Sequence, residues 1–216
     1  MSAITTFTGG QHGRWRIVRN EAVAGEPLRP AERLDVAVGP SEGSPMDPVW
    51  LLRGIPSYER YVNRRERSEL EASSPPLGRP EATSAALIPI RKSPAWWDLP
   101  QDERREIFEE QSHHITTGLK YLPAVARRLY HGRDLGEPFD FLTWFEFSST
   151  DASAFEELVR TLRETTEWTT WSGKWTSGWF ETWDDPRMAR KRQALFRRER
   201  DCPPPGRLSL GGSSIR

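Results

Sequence analysis

Cysteine is nearly absent from this chain: Cys202 is the single one among 216 residues. One thiol excludes an intrachain disulfide and any zinc site assembled from several thiolates. Net charge is missing as well, since 31 Lys and Arg balance 31 Asp and Glu. Nucleic-acid binders carry a basic surplus, so no nucleic-acid partner is expected. No apolar run approaches the roughly 18 residues a membrane helix requires, so no membrane partner is expected either. The opening MSAITTFTGGQHGRW has neither a basic nor an apolar signal segment, and the expectation is a soluble, cytoplasmic protein. HExxH, CxxC, GxGxxG and Walker signatures are lacking, which leaves zinc, dinucleotide and P-loop chemistry without support.

What is present divides the chain into three regions. Residues 1–47 mix short β-like pieces, RWRIV and RLDVAV, with Gly, Pro and Ser. Residues 48–168 are well patterned. VWLLRGI (49–55) reads as a buried strand, and SYERYVNRRERSELEAS (57–73) as a charged helix with Tyr58, Tyr61, Val62 and Leu70 for one face. SAALIPIRK (84–92) is an apolar strand. A helix follows with Asp102 as its N-cap, carrying Ile107, Phe108 and Gln111. GLKYLPAVARRLYHGRDL (118–135) is expected as a second helix, bent or begun at Pro123. FDFLTWFEF (139–147) is a strand apolar on most of both faces. Asp151 or Ser153 caps a last helix that presents Phe155, Leu158, Val159 and Leu162. This order is α+β, with a sheet covered by helices on one face, and it calls for one closing strand after the last helix.

The third region, 169–216, offers a tryptophan run at that place. Trp168, Trp171, Trp175, Trp179 and Trp183 fall close to a helical period. A helix there is poor, because Gly173, Gly178 and several Thr and Ser each disfavour it relative to Ala, Gly by about 1 kcal/mol. A membrane-surface helix would need a basic polar face, and only Lys174 is on offer. An aromatic cage for a cation would be unusually repetitive. The genetic code supplies another reading. Tryptophan has one codon, TGG, and a neighbouring frame turns such codons into Leu, Val or Met. With suitable synonyms the shifted frame contains VDIRLV, a strand with apolar residues at period two. We hypothesise a one-nucleotide deletion near codon 170, which puts the tail out of frame and costs the sheet its closing strand.

The densest chemistry lies between residues 91 and 134, where three of the four histidines, His113, His114 and His131, are found. A helical histidine facing aromatics can be an iron ligand through its neutral imidazole; it can equally be a solvated or core histidine. His113 and His114 point roughly 100° apart on a helix, so one at most faces a pocket easily. Asp102, Glu103, Glu109 and Glu110 read as solvated helix face.

The stretches LLRGI…ERYVNRRER, LGRPEATSAALIPIRKSPAWW, DERREIFEEQSHHI with YLPAVARRLYH, and EPFDFLTWFEF ahead of LRETTEW carry a resemblance. Over 48–168 the chain resembles the chlorite dismutase-like haem proteins, specifically their short, dimeric branch. The resemblance implies a ferredoxin-like dimeric αβ-barrel that binds haem b as a homodimer. It makes His114 the proximal iron ligand and Arg127, on the next helix, the distal arginine. Glu167 becomes the carboxylate that accepts a hydrogen bond from the proximal imidazole. Lys92, Trp96 and Trp97 match the K-x-x-x-W-W run that lines the haem and its propionates. Ser74 stands about where short members often have a distal Gln. The implied activity is conversion of the small anion chlorite to chloride and dioxygen, with Arg127 holding the anionic species near iron. The alternatives are an inactive or non-catalytic haem-binding member, or a coproheme decarboxylase-like or peroxidase enzyme; decarboxylase relatives lack the distal arginine.

Overall fold

The computed structural model describes residues 3–39, 47–56 and 61–182, with side chains described as far as residue 168. In chain order it contains β1 (Thr5–Gly10), β2 (Trp15–Ala24), β3 (Arg33–Val38), β4 (Trp50–Pro56), α1 (Arg64–Ser73) and β5 (Ser84–Lys92). Short helices α2 (Pro94–Asp98) and α3 (Gln101–Arg105) lead through a π-helical turn (Glu106–Gln111) into α4 (His114–Leu119). Then come β6 (Ala126–His131), β7 (Phe141–Phe147), α5 (Ala152–Arg163), α6 (Thr166–Trp171) and β8 (Ser172–Thr182). The strands pair antiparallel and close into a barrel in the order β1-β3-β2-β8-β5-β7-β6-β4. The architecture is α+β, an antiparallel curled sheet with helices on its outer face.

Strands β5 and β7 are apolar on both faces because each separates two cores. Ala85, Leu87, Leu142 and Trp144 join Phe7, Trp15 and Leu34 inside the barrel. Their chain neighbours Ala86, Ile88, Phe145 and Phe147 face outward and pack against Phe155, Leu158, Val159 and Leu162 of α5. That spacing of three and four residues on α5 is the stripe a helix lays on a sheet. Pro89 has no N–H to donate, and the β5–β8 ladder passes over it, pairing Leu87 with Gly178 and then Ile90 with Trp175. Inside the barrel one carboxylate is buried. Burial pushes the Glu146 carboxyl above its ordinary range, against the N–H bonds it accepts from Gly78 and Trp144.

Four expectations need revision. The helix expected over 57–73 begins at Arg64, where a capping box operates: Asn63 Oδ1 accepts from Glu66 N, and Glu66 Oε2 accepts from Asn63 N. Leu70 is buried on it as expected, while Tyr58 lies outside the described residues. The segment 118–135 is not one helix. It ends α4 at Leu119, turns, and becomes β6, whose six residues pair with β7 from Ala126↔Glu146 to His131↔Phe141. Ala, Arg and Leu favour helix locally, but the unpaired edge of β7 outweighs a propensity worth tenths of a kcal/mol per residue. Residues 1–47 are built into the barrel: β1 pairs with both β3 and β4.

The last revision concerns the closing strand, which is present. Backbone of residues 172–182 forms β8 between β2 and β5. Main-chain hydrogen bonds define a strand, and Trp, Phe and Thr are residues that strands accept readily. The four-residue tryptophan spacing, close to a helical turn, is also twice the strand repeat, so periodicity alone does not separate the two. Among the described residues no helix is long and apolar enough to cross a membrane.

A chain ending at Trp171 would leave facing edges of β2 and β5 unpaired. It is expected to lose the cooperative thermal transition of the full chain, read by far-ultraviolet circular dichroism.

Candidate functional site

Between the outer face of the barrel and the helices lies a cavity of about 660 Å³, within the range of cofactor and small-ligand sites. Its wall is largely apolar and includes Ile88, Ile90, Phe108, Phe141, Phe145 and Leu158. Five of the expected site residues line it: His114, Arg127, Lys92, Trp96 and Glu167, the last behind the imidazole. Ser74 lines it as well, at the C-cap of α1.

His114 is the first residue of α4, and two contacts hold its ring. Its Nδ1 lies 2.8 Å from Glu167 Oε2. Phe108 stacks on the imidazole with centroids 4.3 Å apart. The backbone beneath is held by Glu109, whose carboxylate accepts from Ile115 N at 2.5 Å and from Thr116 N and Oγ1 at 3.2 and 2.7 Å. These donors belong to the first turn of α4, where N–H groups lack helical partners. His113, in the left-handed region at φ 49°, is exposed and stands outside the cavity wall. With Nδ1 engaged by a carboxylate, Nδ1 carries the proton and Nε2 is the nitrogen left to coordinate.

Glu167, on α6, is 4% exposed. Its Oε1 lies 2.6 Å from Lys92 Nζ, and its N–H donates to Ser112 Oγ at 3.0 Å. Burial pushes its carboxyl up, but the neighbouring Lys92 charge and the His114 contact outweigh it and bring the group down to about 2. Lys92 was expected beside a haem propionate. It lines the cavity, and its ammonium pairs with Glu167 and lies 4.6 Å from the centroid of the Trp96 ring. A long cationic side chain that cannot reach water takes the nearest buried carboxylate.

The tryptophan pair divides. Trp96 is 1% exposed and lines the cavity, and its Nε1 is buried without a hydrogen-bond acceptor among the described residues. Trp97, expected at the same site, is not part of the wall. It stacks on Phe141, takes Arg133 and Arg104 over its ring at 4.1 and 5.2 Å, and donates to Asp140 Oδ2. Adjacent residues on a short helix face different directions, and one ring seals the wall while the other closes the outside. Arg127 sits on β6 rather than on a helix, paired with Phe145. Alternation along the strand places Arg127, Leu129 and His131 on the cavity side.

Glu109 corrects a further expectation. It is buried and capping, whereas Glu110 beside it is exposed. Asp102 is not an N-cap; Pro100 holds that position for α3 with no side-chain bond. The π-helical turn breaks the 3.6-residue period, so spacing could not signal which of the two glutamates turns inward.

Comparisons with known proteins agree with this arrangement. Residues 42–175 match the family profile described as "Chlorite dismutase", and the chain belongs to that family. A chlorite dismutase of Ideonella dechloratans is 35% identical over 118 residues, 54% of this chain and 39% of that protein. The chain therefore matches about two fifths of the length of that relative. The crystal structure of dimeric chlorite dismutases from Nitrobacter winogradskyi is 52% identical, with a TM-score of 0.76 over 83% of this chain and 99% of that one. A chlorite dismutase mutant from Candidatus Nitrospira defluvii is 19% identical at a TM-score of 0.59 over 88% and 95%, which shows the shared fold alone.

Because Glu167 is held near 2 against an ordinary 4.5, its ion pairs stabilise the fold fully above pH about 5. That contribution is lost as pH falls from 4.5 toward 2. The stability gap between the native chain and Glu167→Gln, from urea unfolding at stepped pH, is expected to be constant above this window and to shrink within it.

Proposed function

We propose that this chain is a haem b-dependent enzyme that converts chlorite to chloride and dioxygen, acting as a homodimer. One observation carries the reading. The His114 imidazole, gripped at Nδ1 by a buried carboxylate, shares the wall of a largely apolar cavity with Arg127. Among the described residues no three His, Cys, Asp or Glu side chains gather to hold a bare metal ion. One histidine suffices where a macrocycle provides the other ligands. The orphaned Trp96 N–H supports the same group, since a propionate would give that buried donor its acceptor.

The redox chemistry, breaking O–Cl and making O–O, is what haem iron supplies when bound. The chain's own residues set the conditions for it. His114 would ligate through Nε2, and Glu167 accepting from Nδ1 makes the imidazole a stronger electron donor. Lys92 shares the Glu167 charge, which limits how far the Nδ1 proton shifts toward the carboxylate. Arg127 would bind the anionic reactant and keep the chlorine oxyanion from escaping, since a guanidinium presents several donors to an oxyanion. The wall is largely apolar, so these charges act in a medium of lower dielectric than water. The homodimer rests on the likeness to the dimeric Nitrobacter protein, and sedimentation analysis giving only monomer would remove it.

Hemin titrated into the purified chain is expected to give a saturable Soret band that His114→Ala abolishes. Oxygen release from chlorite should follow. In Arg127→Ala haem still binds, oxygen yield falls about tenfold, and trapped hypochlorite rises. No band with the native sequence or with the frame restored after Thr169 would overturn the reading.

A further inference from the structure

The loop between α1 and β5 has two faces. Ser74, Pro75, Pro76 and Leu77 all reach the cavity wall, and Leu77 is also packed, 4% exposed, among the core side chains of the barrel. Gly78 follows at φ +78°, a conformation L side chains rarely adopt, and this aims its N–H at Glu146 Oε2, 2.5 Å away. The other oxygen of Glu146 accepts from Trp144 Nε1 at 3.0 Å. Glu146 is 1% exposed and plays no part in the chemistry described above. It pairs across the ladder with Ala126, the residue before Arg127. One residue beyond Gly78, the Arg79 guanidinium donates to the carbonyls of Pro123 and Ala124, in the segment that leads into the same strand.

We propose that Glu146 is a positioning residue: its carboxylate fastens the 74–79 loop into the cavity wall beside the strand that carries Arg127, and thereby sets how large a ligand that side of the cavity admits. Both carboxylate oxygens are needed as acceptors. An amide offers one oxygen and one NH2 group, so a glutamine must face a donor with a donor and can hold either Gly78 or Trp144, not both. The other attachments of the loop, the Ser74 N–H on the Leu70 carbonyl, Leu77 in the core and Arg79 on the 123–124 carbonyls, flank the Glu146 contact, so its loss is expected to loosen the Ser74–Pro76 wall. The effect on ligand size rests on the haem reading; the fastening itself does not.

The test separates the two. Amide exchange is followed by NMR on the protein without haem. In the native chain the Gly78 amide is expected to exchange as slowly as barrel amides. Glu146→Gln should speed exchange across 74–80 about tenfold, the equivalent of one buried hydrogen bond, with β5 and β7 amides unchanged. In hemin-loaded protein the same variant should bind imidazole faster relative to cyanide by several-fold, because only the bulkier ligand depends on the width of the cavity. A native Gly78 amide exchanging like an exposed loop, or a variant with unchanged exchange, overturns the proposal. So does exchange that rises throughout β5 and β7, or an unchanged imidazole-to-cyanide ratio. Should Glu146→Gln not fold, Arg79→Met decides: Gly78 stays protected if Glu146 is the fastener, and loses protection if it is not. Failure to bind hemin would remove the haem reading and leave the exchange result to stand.

Discussion

A carboxylate withdrawn from water costs several kcal/mol unless its charge is answered, and Glu167 is almost wholly withdrawn. Two partners from distant parts of the chain answer it. Lys92 comes from the end of a barrel strand and His114 from the start of a helix, 75 and 53 residues away in sequence. The three side chains tie β5, α4 and α6 together at one end of the cavity. Everything else about the site is arranged around that tie: Phe108 against the imidazole, Ser112 on the Glu167 amide, Glu109 under the first turn of α4. An imidazole held this firmly has one nitrogen committed and one available, the asymmetry that the proposed ligand role requires.

The barrel provides the rest by having two cores. Its interior is filled by its own side chains, and its outer face between β5, β6 and β7 is left for the helices and the cavity. The backbone of Arg127 is paired in the β6–β7 ladder while its side chain reaches the cavity wall. A polar group inside such a barrel is costly unless satisfied. Glu146 is satisfied by two N–H donors, one of them from the loop that walls the cavity.

Much of this was legible in the residues. β5 and β7 were recognisable because strands apolar on both faces have to be sandwiched, and α5 because Phe155, Leu158, Val159 and Leu162 fall on one helical stripe. His114 and Glu167 could be singled out from the family resemblance before any geometry was known. Other features resisted. The segment holding Arg127 has helical propensity and was drawn into a strand by the edge of β7. The tryptophan spacing fits a helix turn and twice a strand repeat, so only pairing with β2 and β5 settles the backbone of 172–182. Glu109 and Glu110 look alike until the π-helical turn rotates one of them inward.

The boundary between the two kinds of information follows from range. Composition, periodicity and capping act within a few residues, so the chain by itself determined the α+β alternation and most strand and helix positions. Which charge meets which is decided by contacts across scores of residues. Tertiary structure alone paired Lys92 with Glu167 at the cavity wall, turned Trp97 away while leaving the Trp96 N–H without an acceptor among the described residues, and placed Glu146 where a loop amide could find it. Those outcomes depend on desolvation, which exists only once the chain has closed around itself.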